Sequence, residues 1–262
     1  MSNGLTIVLT NENCRGYASA ISQTYPDMEI VVVHSSENGL PKSSHEGGKP
    51  VRHLTMTDSA HNPARAWNHA IEYACGEHLL FLSDDAWLPK RDCLSSLFKD
   101  SETEDIIFGQ MAVLSGRRRH RYVGPRYDDF SLFELLENPI ALSSAIISKR
   151  LFVTYGPFDT TMLQGYAFEF FFKCIVQENC SLKYTGTTMS EGQELPVCYF
   201  DKRCNREEFN RVIDRYMPRL FGDDTPELMR PSELREAINL YHYLQEKRLS
   251  RWFYTKFIKN RQ

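Results

Sequence analysis

Two adjacent carboxylates, Asp84 and Asp85, stand at the end of the apolar run of residues 79–82. A run of that length and composition reads as a buried strand. Two carboxylates at the end of such a strand repel each other unless a cation sits beside them. Mg2+ and Mn2+ suit that place, because they take hard oxygen ligands and hold phosphates at the same time. The second reading is an acidic turn that caps a helix starting near Arg91. A basic run, Arg117, Arg118, Arg119, His120 and Arg121, follows an expected strand at residues 106–114. It is either a solvated loop or a patch that meets an anion such as a phosphate.

The surrounding elements must position these groups. Residues 5–11 (LTIVLTN) form a strand, and a helix spans roughly 14–23. Pro26 breaks the chain, and residues 28–39 run as a second buried strand into a polar loop. Ala66, Trp67, Ala70, Ile71 and Ala74 recur at helical spacing. Gly76 should end that helix as a left-handed C-terminal residue. Strands alternating with helices imply a mostly parallel sheet covered on both faces, an α/β fold. Ligands of such sheets collect at the carboxyl ends of the strands. Asn11, Ser35, Asp84 and Asp85 all belong there.

In this order the segments resemble the large inverting glycosyltransferase family with the GT-A fold. Gln23, Thr24, Tyr25 and Pro26 fit its first helix, and residues 29–33 (EIVVV) its second strand. Asn62, Ala66, Asn68, Ala74, Gly76 and Glu77 fit the helix before its metal motif, which is Ser83-Asp84-Asp85 here. Residues 139–159, read as one later strand, carry the family's Gly-x-Phe-Asp as Gly156, Phe158 and Asp159. The resemblance implies Asp85 and Asp84 as ligands of Mn2+ or Mg2+. It also implies a nucleotide side lined by Thr10, Asn11, His34, Ser35, Arg65 and Asp84.

The chain departs from the family at three places. His34 stands where the family has Asp against the nucleotide base. Ser83 replaces the first acid of the metal motif. The family's Glu-Asp pair near the acceptor is thinned to one acid, Glu169, in residues 164–175 (QGYAFEFFFKCI). Two registers are open. In one, Glu169 is the first acid and Phe170 replaces Asp; in the other, Tyr166 and Ala167 replace the pair. Between Phe168 and Phe170 a carboxylate would be desolvated, which raises its pKa toward the range useful for a base. Glu169 is therefore the candidate catalytic base, against the alternative of a solvent-facing helix residue.

The chain has 262 residues, with 31 Lys plus Arg against 34 Asp plus Glu and a pI near 6.3. That balance gives no sign of nucleic-acid binding. A domain of this size buries roughly three-quarters of its unfolded surface. There is no signal peptide and no run able to span a bilayer. Seven scattered cysteines without a C-x-x-C imply reduced thiols and a cytoplasmic protein. Neither G-x-G-x-x-G nor a P-loop sequence occurs, which argues against a dinucleotide oxidoreductase or an NTPase. The organisation expected is a GT-A domain over 1–200 and a helical extension over 201–262. Pro218, Pro226 and Pro231 should divide the extension, with a capped helix over 234–244. The basic, aromatic stretch 247–261 either lies on an anionic membrane, giving peripheral contact at its inner face, or packs on the domain.

Two function classes follow. One is metal-dependent, inverting transfer of a sugar from a nucleotide-diphosphate donor to a hydroxyl acceptor. The acceptor class, glycan, lipid-linked or other, stays open. The other is a GT-A-fold nucleotide-sugar or glycan binding module whose chemistry has eroded. Trp87 is either a wall of the sugar pocket or a core residue.

Overall fold

The computed structural model describes residues 4–12, 14–35, 42–56, 62–98, 103–115, 118–128, 132–176, 180–193, 196–197 and 203–221. The chain divides into two compact units, Met1–Phe209 and Asn210–Gln262. The expected helix at 234–244 and the basic, aromatic stretch at 247–261 lie outside the described residues.

The apolar runs of the sequence become the middle of one large sheet. Strands β1 (Leu5–Leu9), β2 (Met28–Ser35), β4 (Lys49–Met56) and β5 (His78–Leu82) are mutually parallel, and β3 (Lys42–Glu46) closes that edge antiparallel to β4. On the other side of β5 come β9 (Ala145–Ser148), β7 (Ile106–Ser115), β10 (Leu182–Gly192) and the short β6 (Ala86–Trp87). The order is β3-β4-β2-β1-β5-β9-β7-β10-β6, and β8 (Arg118–Val123) pairs with β7. Only β3, β6, β8 and β9 run antiparallel to their neighbours, so the sheet is mostly parallel, as expected.

Strands buried on both faces read as unbroken apolar runs. β5 shows why. Leu80 and Leu82 join Leu5, Ile7, Leu9, Ile30 and Val32 in one core layer, together with Leu94 and Phe98. Phe81 points the other way, into rings of Trp67, Phe152 and Phe158 at centroid distances of 5.5, 5.9 and 5.4 Å. The helices over the sheet are α1 (Arg15–Ile21), α2 (Pro63–Tyr73), α3 (Cys93–Phe98), α4 (Leu132–Glu137), α5 (Lys149–Tyr155), α6 (Tyr166–Val176) and α7 (Arg206–Phe221).

Several sequence expectations are corrected. Helix α2 stops at Tyr73 because Ala74 turns extended, at ψ 131°, and not because Gly76 turns left-handed. Gly76 is required for a different reason: a Cβ there would lie 2.6 Å from the Gly4 carbonyl oxygen and the Thr6 nitrogen of β1. Residues 139–159 are not one strand but a 3-10 turn at 142–144, then β9, then α5, ended by Gly156 at φ +86°. The basic run is not a loop, since residues 118–121 belong to β8; Arg117 lies outside the described residues. Helix α7 continues past Pro218, which the sequence placed at a break; Pro226 and Pro231 lie outside the described residues.

Candidate functional site

Leu82 pairs with Leu9, and Leu9 with Val32, so β1 and β5 end side by side while β2 runs on to Ser35. Beyond β5 the chain turns tightly, with the Ala86 N–H donating to the Ser83 carbonyl at 3.0 Å. The turn presents both carboxylates, each steadied by a hydroxyl. Thr10 Oγ1 donates to Asp84 Oδ1 at 2.9 Å, and Ser83 Oγ to Asp85 Oδ1 at 2.7 Å. Asp84 is exposed and Asp85 half-buried. The Asp85 backbone carbonyl accepts from the Gln193 N–H at 3.3 Å. β10 passes close by: a Cβ on Gly192 would displace the end of the Met111 side chain and lie 3.2 Å from the Asp85 carbonyl. Hard oxygens oriented by neighbouring hydroxyls suit a divalent cation, and such outer partners tune ligand orientation.

Asp85 opens into a cavity of about 250 Å³, shared with Ser83, Trp67, Ser143, Tyr166 and Ala167. Behind Ser143, buried Ser190 is in hydrogen-bond contact with Ser143 at 3.3 Å and Ser144 at 2.5 Å. Trp67 Nε1 donates to the Tyr166 hydroxyl at 3.2 Å. Burial pushes the Tyr166 phenol pKa upward, so it stays a neutral hydroxyl. The loop leading into α6 is tied down by Glu208. Its carboxylate accepts the N–H groups of Leu163, Gln164 and Gly165 at 3.0, 2.9 and 2.9 Å.

Glu169 does not line this cavity. It is 1 % exposed and ion-paired with Lys173 at 3.3 Å, one turn along α6. Tyr166 and Ala167, on the first turn of α6, are the residues that face the cavity. Of the two registers open in the sequence, the one with Tyr166 and Ala167 at the acid-pair positions brings those positions to the cavity wall.

Of the residues the sequence assigns to a nucleotide, Thr10 and Asn11 follow β1, and His34 and Ser35 end β2. Arg65 is exposed in the first turn of α2, where its N–H is capped by Asn62 Oδ1 at 3.4 Å. His34 is joined by two residues the sequence did not single out. His34 Nε2 lies 2.9 Å from His53 Nδ1, and Glu12 Oε2 lies 3.9 Å from His34 Nε2 and 3.4 Å from His53 Nδ1. Burial lowers the His34 pKa, Glu12 opposes that shift, and His53 adds to it. Trp87 is buried beneath the Arg15 guanidinium, 3.7 Å from the ring centroid, and donates from Nε1 to Glu191 at 3.1 Å. It is not among the cavity-lining residues.

The sequence reading missed His53, Glu12 and Glu208. Strand register would have found His53: His34 pairs with Thr55, which puts His53 diagonally across on the same face. No local pattern announces Glu208, because its partners lie some 43–45 residues away.

Comparison with known proteins agrees with this architecture. No curated protein matches the chain. Among solved structures, S. aureus TarS 1–349 in complex with UDP superposes with a TM-score of 0.61 at 15 % identity, covering 94 % of this chain and 73 % of that one. The same protein in complex with UDP-GlcNAc gives 0.61 at 14 %, over 92 % and 73 %. Mannosyltransferase PcManGT from Pyrobaculum calidifontis, in complex with GDP-Man and Mn2+, gives 0.51 at 17 %, over 92 % and 69 %. At such identities these likenesses speak to the fold. The profile of glycosyl transferase family 2 matches residues 14–163, more than half of the chain and the whole segment from the cap of α1 through the carboxylate turn to the loop before α6, and the chain therefore belongs to glycosyl transferase family 2.

Proposed function

We propose that the chain transfers a sugar, with inversion and with a divalent metal, from a nucleotide-diphosphate donor to a hydroxyl acceptor. The observation that carries this reading is the Asp84–Asp85 turn at the end of β5, with Asp85 opening into the cavity. Asp85 and Asp84 would hold Mn2+ or Mg2+, which supplies Lewis-acid charge for the leaving diphosphate. Thr10 and Ser83 keep the two carboxylates oriented for that ligand. Thr10, Asn11, His34, Ser35 and Arg65 serve the nucleotide, and Tyr166 and Ser143 give the acceptor hydroxyl polar partners.

Family membership supports transfer. The neighbours solved with UDP, UDP-GlcNAc, GDP-Man and Mn2+ indicate which donors to try first. Glu169 was the sequence's candidate base. Its ion pair with Lys173 and its place off the cavity support a structural role, and we propose that it braces α6. Among the described residues no helix is long and apolar enough to cross a membrane. The decisive experiment is a thermal-shift screen of nucleoside diphosphates and their sugars with and without Mn2+, followed by donor hydrolysis or transfer, because a ligand of the folded state raises the midpoint. Metal-dependent stabilisation with turnover is the expected result.

A second reading is favoured by one observation: Tyr166 and Ala167, not acids, meet the cavity. The chain would then be a binding module that keeps the donor site and has lost transfer. Metal-dependent donor binding without any turnover would select it.

A further inference from the structure

We propose that Glu12, His34 and His53 form a zinc-type metal site, separate from the Asp84–Asp85 pair. The three side chains come from the segment after β1, the end of β2 and the second half of β4, and each offers one ligand atom, the three atoms lying within 4.8 Å of one another. The separations are 2.9 Å between the imidazole nitrogens and 3.4 and 3.9 Å from Glu12 Oε2 to them. Zn–N and Zn–O bonds near 2.0–2.2 Å set tetrahedral ligand atoms about 3.3 Å apart. The Glu12–His53 edge matches that size, the His34–His53 edge is shorter and the Glu12–His34 edge longer by about half an ångström, which a small rotation of the exposed Glu12 side chain would close.

The chemistry fits as well as the spacing. Two imidazoles and one carboxylate suit Zn2+ and its transition-metal relatives, whereas Mg2+ and Ca2+ prefer all-oxygen cages. The side chains are 28 %, 17 % and 44 % exposed for His34, His53 and Glu12. A tetrahedral ion held by them keeps its fourth position open to solvent or to a small ligand, the arrangement of three protein ligands plus an exchangeable one. The strands that carry the two histidines are paired in fixed register, so the imidazoles approach each other without loop rearrangement. The proposal rests on these three residues; His34 is also one of those assigned above to the nucleotide, so Zn2+ is titrated without any donor and the outcome stands apart from sugar transfer.

The test uses the full chain, stripped of metal with a chelator, and Zn2+ as the titrant in calorimetry. One Zn2+ per chain is expected. Loss of an outer partner alone typically costs about 10–100-fold in metal affinity, so His34→Ala and His53→Ala should each weaken binding by at least about a hundredfold. His53→Gln and Glu12→Gln serve as milder variants, with circular dichroism confirming the fold. Asp84→Ala/Asp85→Ala should retain the site. Co2+ in place of Zn2+ should give visible bands of a four-coordinate ion without a thiolate charge-transfer band. Absence of Zn2+ binding, unchanged affinity in the folded histidine variants, loss of the site in the double Asp variant, or a thiolate band from one of the cysteines would each overturn the proposal.

Discussion

Asn68 grips the backbone of Phe158 in both directions. Its Nδ2 donates to the Phe158 carbonyl and its Oδ1 accepts the Phe158 N–H, each at 2.9 Å. Asn62 does the same work six residues earlier, donating to the Thr160 carbonyl at 2.6 Å. Asn68 in α2 and Asn62 at its N-cap thus fasten residues 158 and 160, some 90 residues on, and Phe158 then seats its ring against Phe81 and Phe170. Asn68→Ala strands both backbone groups and should cost about 3 kcal/mol, lowering the thermal midpoint by roughly 8 °C in calorimetry. A loss under about 1 kcal/mol would mean that water replaces the side chain at no cost.

Asp85→Ala should leave the fold intact and abolish metal-dependent donor binding. The side chain is half-buried and touches Ser83, so its stability contribution is small, about 1 kcal/mol. Calorimetry of a nucleoside diphosphate with Mn2+ reads the effect. Undiminished affinity would remove Asp85 from the site.

Glu169→Gln separates two roles for one carboxylate. A lost general base costs about a hundred- to ten-thousand-fold in turnover. A lost partner of Lys173 costs stability instead, about 2 kcal/mol, because the cation is left largely buried. We expect turnover per folded molecule to stay within about threefold and the denaturation midpoint to fall. Loss of turnover at unchanged stability would return Glu169 to catalysis.

The thiols should react in an order set by burial. Burial, with Asp92 nearby, pushes the Cys93 thiol up to about 11, and Cys180 is pushed to about 12, by burial and then Asp105. At pH 8 about one Cys93 in a thousand is thiolate. Cys75 is exposed, and the Arg52 guanidinium donates to its sulfur at 3.4 Å. Iodoacetamide labelling followed by peptide mapping should therefore find Cys75 modified well before Cys93 or Cys180. Equal rates would show that the fold opens on the labelling timescale.

The sequence placed the candidate donor residues at strand ends, and the structure has those strand ends where parallel order puts them. Apolar runs announce strands, parallel order aligns their carboxyl ends, and Asn11, His34, Asp84 and Asp85 follow directly. It did not show which residues line the cavity, because α6 decides which of its side chains face it. Glu169 and Tyr166 are three apart on one helix, and sequence alone gives no phase for a helix that is apolar nearly all round. Gly76 taught a similar lesson. Its place after a helix suggested a left-handed turn, but what demands glycine is the backbone of β1, which no local pattern shows.

Glu208 has a bearing on how this chain can be subdivided. The family profile ends at residue 163, and an expression fragment cut near 200 would look complete by that measure. It would nevertheless lack the carboxylate that accepts three consecutive N–H groups at the entrance to α6. Inherited sequence and working part therefore have different borders: the wall of the cavity beside Asp85 is anchored by a residue that the family's own signature does not reach.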